Sequence, residues 1–164
     1  MKLIAERLNR FQPSLTVEIS QKARELRAKG IEIVSLSSGE PDFDTPQHIK
    51  NHAIESINEG FTKYTQVDGI LELKKSIKKK FLKENALKYE IDQITVGAGG
   101  KHVIYNLFMS TLNKGDEVII PAPYWVSYPD IVSLCNGKPI IVKTQIENGF
   151  KITPRELEEK ISPR

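Results

Sequence analysis

Residues 94–142 alternate short β-branched runs with apolar residues at helical spacing, and this alternation constrains the fold more than any other feature of the sequence. Two stretches with helical periodicity, one around Val103 and Phe108 and one around Ile131 and Leu134, separate three predicted strands: Ile94–Val96, Glu117–Ile120 and Ile140–Val142. A βαβαβ order is typical of parallel strands with helices on the faces of the sheet. We therefore predict an α/β fold.

The residues before this unit predict further helices. The first runs from Thr16 to Lys29 and ends at Gly30, and a short strand is expected over 31–34. Thr45 is the predicted cap of the next helix, with Pro46 at its first position.

Two more helices are predicted from their first residues. Asp68 and Gly69 are expected to open a lysine-rich helix. Near the end of the sequence, Thr153 and Glu156 have capping-box spacing, and Pro154 fits the first helical position.

The lysine-rich helix raises the possibility of nucleic-acid binding. Its apolar positions, Leu73, Ile77 and Phe81, recur every four residues, which favours a solvated helix face for its six lysines: Lys74, Lys75, Lys78, Lys79, Lys80 and Lys83. The sequence has neither interleaved aromatic residues nor a helix-turn-helix pattern. We expect no nucleic-acid partner.

The single cysteine, Cys135, lies in an apolar stretch and is expected to be a small buried core residue, which favours a reducing compartment. The first residues, MKLIAERLNRF, have scattered charges, unlike a signal peptide or a membrane span. A cytoplasmic protein without a membrane partner is therefore expected.

The glycine-rich turn from Gly97 to Lys101 is a candidate phosphate site, because glycines allow close approach and the next helix directs N–H groups toward an anion. It does not fit a nucleotide P-loop, since Thr95 stands at the first glycine position and His102 follows Lys101. It does not fit a dinucleotide fingerprint either, since His102 stands at the last glycine position. By itself the turn fits a phosphate site and a tight structural turn equally well.

A second candidate follows the next strand, where Ala122-Pro123-Tyr124-Trp125 places the only tryptophan on a loop. Ligands of open parallel sheets bind beyond the carboxyl ends of the strands. Trp125 could stack on a flat heteroaromatic ring or anchor the loop in the core, and both interpretations stay open.

Two other groups are not favoured as sites. His48 and His52 have the spacing of paired metal ligands but no glutamate between them, so surface histidines are expected and no metal is predicted. Asp42 and Asp44 are expected to stabilise the turn and the following helix start.

Four motifs together resemble fold-type I aminotransferases of the aspartate class, enzymes that use pyridoxal 5'-phosphate (PLP). The similarity covers essentially the whole chain and is greatest to the bacterial branch with the sequence GEPDFDTP. The motifs are Ser38-Gly39-Glu40-Pro41-Asp42-Phe43-Asp44-Thr45-Pro46, Tyr64-Thr65 with Gly69, Gly99-Gly100-Lys101 and Pro121-Ala122-Pro123-Tyr124-Trp125.

The resemblance implies a parallel-rich, three-layer sheet of the PLP-dependent transferase large domain, here incomplete. Residues 1–45 would form an N-terminal arm and small-domain segment, and residues 46–164 the first part of the large PLP-binding domain. It also implies a homodimer that acts on amino-acid and 2-oxo-acid substrates.

The resemblance assigns cofactor contacts to five residues. Gly99, Gly100 and Lys101 match the stretch that holds the PLP phosphate. Trp125 matches the aromatic residue that stacks on the pyridine ring. Tyr64 matches the tyrosine that crosses the dimer interface to the partner's cofactor phosphate.

The resemblance also assigns substrate contacts. Gly39 matches the backbone position that meets the α-carboxylate of the substrate, where only glycine allows close approach. Lys101 matches a residue that attracts the distal carboxylate of aspartate or glutamate, for which a fixed positive charge is suited. Trp125 would border the substrate as well as the cofactor.

The function implied is amino transfer from aspartate to 2-oxoglutarate. The resemblance places the lysine that binds PLP covalently beyond Arg164, so the 164 residues alone are expected to contain no catalytic residue and to be inactive. Prephenate, aromatic or alanine-type transamination and carbon–sulfur lysis remain alternatives, although Gln12 departs from the lysine associated with prephenate use. A non-catalytic truncated module for dimerisation or regulation is a third hypothesis.

Overall fold

A computed structural model describes residues 3–10, 14–37 and 39–163 of the chain. Gln12, Ser38 and Arg164, which the sequence analysis uses, lie outside the described residues. The chain divides into two compact units. The first combines Met1–Ser37 with Gly99–Arg164, and the second is Ser38–Ala98.

Helices account for most of the regular structure. Among the described residues, short 3₁₀ turns cover Glu6–Arg10, Ile91–Gln93 and Ile146–Asn148. The α-helices are α1 (Leu15–Ala28), α2 (Gln47–Asn58), α3 (Leu71–Asn85), α4 (Gly100–Thr111), α5 (Ser127–Leu134) and α6 (Pro154–Glu158). Helix α1 agrees with its prediction to within one residue at each end.

Two parallel strands form the sheet of the first unit. Strand β1 (Glu117–Ala122) pairs with β2 (Lys138–Lys143) in a register that sets Glu117 opposite Lys138 and Ala122 opposite Lys143. Helix α5 makes the crossover between them, as parallel pairing requires. The predicted α/β fold with parallel strands is confirmed for this part of the chain.

The core of the first unit lies where α5 meets the strands. Val132, Cys135, Val142 and Ile120 are buried there, as apolar residues facing a sheet are expected to be. Burial raises the pKa of the Cys135 thiol, because the thiolate would lose its hydration. The prediction that Cys135 is a small core residue is confirmed.

The predicted capping box at the end of the chain is also confirmed. The Thr153 hydroxyl accepts a hydrogen bond from Glu156 N, and Thr153 N donates to the Glu156 carboxylate at 2.8 Å. The Thr153 N–H group, followed by the Thr153 hydroxyl, which also donates to Glu156 Oε2 at 2.8 Å, holds the pKa of Glu156 below its usual value. Beyond α6, the Ser162 hydroxyl donates to Glu117 Oε2 at 2.8 Å, which ties this segment to the start of β1.

The second unit contains an ion pair that sequence analysis did not predict. The Lys74 side chain is buried and its ammonium contacts the Asp68 carboxylate. The prediction that all six lysines of this helix face solvent is therefore wrong for Lys74. Lys74 lies one turn into α3, close enough to Asp68 for the carboxylate to pair with it.

Two predicted strands are not strands in the structure. Residues 31–36 and 94–96 form no strand among the described residues, so the predicted three-strand βαβαβ unit is a two-stranded βαβ unit there. Val96 N instead donates to the Asp68 carbonyl at 3.0 Å. Both segments are apolar as predicted, but an apolar segment forms a strand only when a neighbouring strand pairs with it.

Two predicted helix starts also differ from the structure. Thr45 does not cap α2, which begins at Gln47 with Pro46 at the cap position. Pro46 has a ψ of 138°, so its own backbone is not helical and the helix starts one residue later. Helix α3 begins at Leu71, with Ile70 rather than Asp68 or Gly69 at its cap.

Across the described residues, no helix has the length and apolar character needed to cross a membrane.

Candidate functional site

The N-terminus of α4 in the first unit is built for close approach by an anion. Gly99 precedes the helix with a φ of 102°, a conformation that residues with a side chain rarely adopt. Helix α4 is twelve residues long and has no acidic residue in its first turn. Its dipole and the N–H groups of its first turn therefore favour negative charge at Gly99 and Gly100.

Gly100 differs from Gly99 because its backbone does not require glycine. Its φ is not positive, and a Cβ added there would meet no atom within 4 Å. Neither strain nor packing among the described residues accounts for a glycine at this position. Open space next to a helix N-terminus fits the backbone approach of a ligand.

Trp125 lies on the loop after β1, in the same unit. Its side chain is 47% exposed, so it does not act as a core anchor in this structure. The Lys101 ammonium lies 5.3 Å from the centroid of the Trp125 ring, within the range of a cation–π contact. The structure thus brings together a glycine turn, a positive charge and an exposed indole.

The main chain on both sides of Trp125 is held by hydrogen bonds. Tyr128 N donates to the Trp125 carbonyl at 3.0 Å. On the other side, Thr144 donates twice to the Ala122 carbonyl, from its N at 3.1 Å and from its Oγ1 at 2.5 Å. Thr144 is not among the predicted site residues, because its contact with Ala122 arises only when β1 and β2 pair.

The two remaining predicted site residues, Gly39 and Tyr64, belong to the second unit. Tyr64 is fully exposed, and a Cβ at Gly39 would meet no atom within 4 Å. The predicted contacts of both residues stay predictions.

Charged groups near the start of α2 support a structural role for Asp44. Its carboxylate accepts from Lys50 Nζ at 2.6 Å and from Thr45 N at 2.7 Å. The Lys50 ammonium, followed by the Thr45 N–H group, holds the pKa of Asp44 below its usual value. This agrees with the prediction that Asp44 stabilises the turn before the helix.

The histidines of α2 are exposed, and His52 Nδ1 lies 3.4 Å from Glu55 Oε2. Within the described ranges, no three His, Cys, Asp or Glu side chains are grouped as a metal ion would need.

Comparison with known proteins gives a consistent set of similarities. The sequence model of the family described as "Aminotransferase class I and II" matches residues 31–164. The chain is 57% identical to the probable aspartate/prephenate aminotransferase of Rickettsia typhi and 55% identical to the aspartate/prephenate aminotransferase of Cereibacter sphaeroides. Both alignments include all of this chain and 41% of the relative.

Solved structures show the same similarity. The aspartate aminotransferase of Rhizobium meliloti superposes with a TM-score of 0.93 at 45% identity, over all of this chain and 41% of that one. The aspartate aminotransferase of Thermus thermophilus, solved with maleate, gives a TM-score of 0.95 at 42% identity, over all of this chain and 43% of that one. The chain therefore spans about two fifths of the length of the proteins it matches.

Proposed function

Since the chain belongs to the family of class I and II aminotransferases, we propose that it supplies the phosphate- and ring-binding part of a PLP-dependent enzyme that transfers the amino group of aspartate to 2-oxoglutarate. One observation carries the proposal. Gly100 leaves open space at the start of α4, and the ammonium of the next residue, Lys101, lies over the Trp125 ring.

The residues present fit PLP. Gly99 and Gly100 would accept the phosphate against backbone N–H groups, with the positive end of α4 offsetting its charge. The exposed face of Trp125 suits stacking on a pyridine ring. When bound, PLP supplies an electron sink for chemistry at the α-carbon of an amino acid.

The proposed substrate contacts follow from charge and space. Lys101 offers a fixed positive charge for the distal carboxylate of aspartate, and its position over Trp125 keeps that charge beside the stacking face. The maleate solved with the Thermus thermophilus protein is a dicarboxylate, which supports this preference. Gly39 would admit the α-carboxylate close to its backbone.

We further propose a homodimer in which Tyr64 reaches the partner's cofactor phosphate, supported by the full exposure of its side chain. The division into residues 1–45 and 46–164 stays a prediction, as does the cytoplasmic location.

We also propose that the lysine that binds PLP covalently lies outside these 164 residues, which is consistent with the two-fifths coverage of the relatives.

Cofactor binding is tested with pyridoxamine 5'-phosphate, which cannot react with surface lysines because it has no aldehyde. We expect saturable binding by near-ultraviolet circular dichroism, and much weaker binding of pyridoxamine without the phosphate. Equal binding of the two compounds would refute a phosphate site at Gly99 and Gly100.

Substrate preference is tested in the active enzyme that contains this chain, by comparing wild type with Lys101→Ala. We expect kcat/KM for aspartate to fall about 10- to 100-fold, since an ion pair to the substrate is lost. The value for alanine should change little. An equal loss for both amino acids would exclude Lys101 as the determinant of dicarboxylate preference.

A second candidate function is amino transfer with prephenate. The names of the Rickettsia typhi and Cereibacter sphaeroides relatives favour it, because both include prephenate. Gln12 departs from the lysine expected for that use. Product formation from prephenate with aspartate as donor, measured beside 2-oxoglutarate, decides between an aspartate-only enzyme and one that uses both acceptors.

A further inference from the structure

We propose that Thr144 is a positioning residue for Trp125, which holds the loop that presents the indole. This inference rests on the proposed function, because it assigns to Thr144 the orientation of the ring that would stack on the cofactor. Neither the sequence motifs nor the resemblance includes Thr144.

The Ala122 carbonyl accepts two hydrogen bonds from Thr144. Thr144 lies one residue beyond the end of β2, directly after Lys143, which pairs with Ala122 at the end of β1. Its N–H group and its hydroxyl both donate to the Ala122 oxygen, at 3.1 Å and 2.5 Å. A carbonyl oxygen has two lone pairs, so Thr144 supplies a donor for each.

Thr144 is buried. The residue is only 9% exposed, while the loop from Pro123 to Trp125 is exposed. A buried hydroxyl keeps its hydrogen bond because water cannot replace the partner without cost. The Ala122 carbonyl is therefore a fixed point from which an exposed loop departs.

The chain from the Ala122 carbonyl to the Trp125 indole is short. Pro123 follows Ala122, and its ring restricts φ. The Trp125 carbonyl accepts a hydrogen bond from Tyr128 N at the start of α5, which fixes the other side of the loop. Few backbone torsions remain free between these two anchors.

The Trp125 ring itself has a weak contact with Lys101. Trp125 is half-exposed, with the Lys101 ammonium 5.3 Å from its centroid. A single cation–π contact at an exposed site is weak, so it is insufficient to define the ring position without a fixed main chain. The Thr144 hydroxyl supplies that constraint from the buried side.

Thr144→Val tests the inference, since valine keeps the volume and removes only the hydroxyl. We expect acrylamide to quench the emission of Trp125 more strongly, and pyridoxamine 5'-phosphate to bind about 3- to 10-fold more weakly. Subtracting the emission of the Trp125→Phe variant from that of the corresponding protein with Trp125 leaves the emission of Trp125 alone. Thr144→Ser, which keeps the hydroxyl, should restore both values.

Thr111→Val is the matched control, because the Thr111 hydroxyl also donates to a backbone carbonyl, that of Leu107 in α4, at 2.7 Å. It should leave quenching and affinity unchanged. If Thr144→Val does not fold, Thr144→Ser and Thr144→Ala are compared instead, and only the alanine variant should show the losses.

Wild-type quenching and affinity in a folded Thr144→Val protein would overturn the inference, even if its melting temperature fell. The outcome is separable from the proposed function, because quenching of Trp125 requires no cofactor. Failure of the wild type to bind pyridoxamine 5'-phosphate would count against the proposed function, while the quenching comparison would still decide the role of Thr144.

Discussion

Gly69 and Gly100 both lie at the start of a helix, yet they are glycines for different reasons. At Gly69, φ is 108°, and an added Cβ would lie 2.7 Å from Val96 Cγ2 and 2.9 Å from Val96 Cβ. At Gly100, φ is not positive and a Cβ would meet nothing within 4 Å. The fold needs the first glycine, whereas nothing among the described residues requires the second, at which we propose that a ligand approaches the backbone.

The surroundings of the two turns reinforce the difference. Next to Gly69, the buried Lys74 pairs with Asp68, and the Asp68 carbonyl accepts from Val96 N. Next to Gly100, the charged group is the exposed Lys101, which contacts an exposed indole. Packing interactions are concentrated at the first turn, and available binding groups at the second.

The largest expected effect is that of Gly69→Ala. The methyl group would overlap Val96 and force an unfavourable backbone conformation, so the free energy of unfolding should fall by about 2–4 kcal/mol. Urea denaturation measures it. Gly60→Ala is the matched control, since Gly60 has a φ of 85° but no neighbour within 4 Å, and it should lose only about 1–2 kcal/mol. Equal losses in the two variants would remove the steric argument.

Gly100→Ala should have the opposite profile. The free energy of unfolding should stay unchanged or rise by up to about 1 kcal/mol, because alanine favours a helix. Binding of pyridoxamine 5'-phosphate should weaken at least about tenfold, or ~1.4 kcal/mol, since the methyl group would occupy the approach to the backbone. A destabilised protein with intact binding would reverse the interpretation of this glycine.

How far the sequence predicts the fold depends on whether a pattern is local. The Thr153–Glu156 capping box and the helix around Ile131 to Leu134 are correct because their signals lie within a few residues. The strand predicted over 94–96 is wrong because its pairing partner is not encoded locally, and Val96 bonds to Asp68 instead. The burial of Lys74 likewise depends on a carboxylate six residues earlier in the chain.

The candidate site follows the same division. Gly99 and Gly100 are recognisable from sequence because glycine itself is the signal. Trp125 left two interpretations open; its 47% exposure in this structure argues against a core anchor, and stacking on a ring stays a prediction. Thr144 could not be found, since its contact with Ala122 spans 22 residues and arises only when β1 and β2 pair.

Lys101→Met should change the free energy of unfolding by less than about 1 kcal/mol, because the exposed cation–π contact is worth about 0.5–1 kcal/mol. The emission of Trp125 should shift as the ammonium leaves the ring. Lys114→Met, at another exposed lysine of the same unit, should leave the emission unchanged. A large loss of stability in Lys101→Met would mean that this turn also serves packing.

The smallest expected effect is the pH dependence at the Gly69 turn. The hydrogen bond from Lys74 holds the pKa of Asp68 below its usual value. Because its pKa is lower in the folded state, Asp68 stabilises the fold at pH values above its unfolded pKa, which is about 3.9. This stability is lost as the pH falls through the folded pKa. Asp68→Asn should therefore flatten the acid limb of stability below about pH 4. Asp92→Asn, at an exposed aspartate of the same unit, is the control. If wild type and Asp68→Asn lose stability identically as the pH falls, the Lys74–Asp68 pair is excluded as a source of stability.

The burial of Cys135 has a practical consequence for all of these measurements. It is the one cysteine of the 164 residues, it is almost fully enclosed, and burial raises its thiol pKa, so little reactive thiolate is available in the folded state. A cysteine introduced on the surface would thus be alkylated in preference to the native one. Spectroscopic labels can be attached beside the glycine turn or the indole without first removing the native thiol from the core.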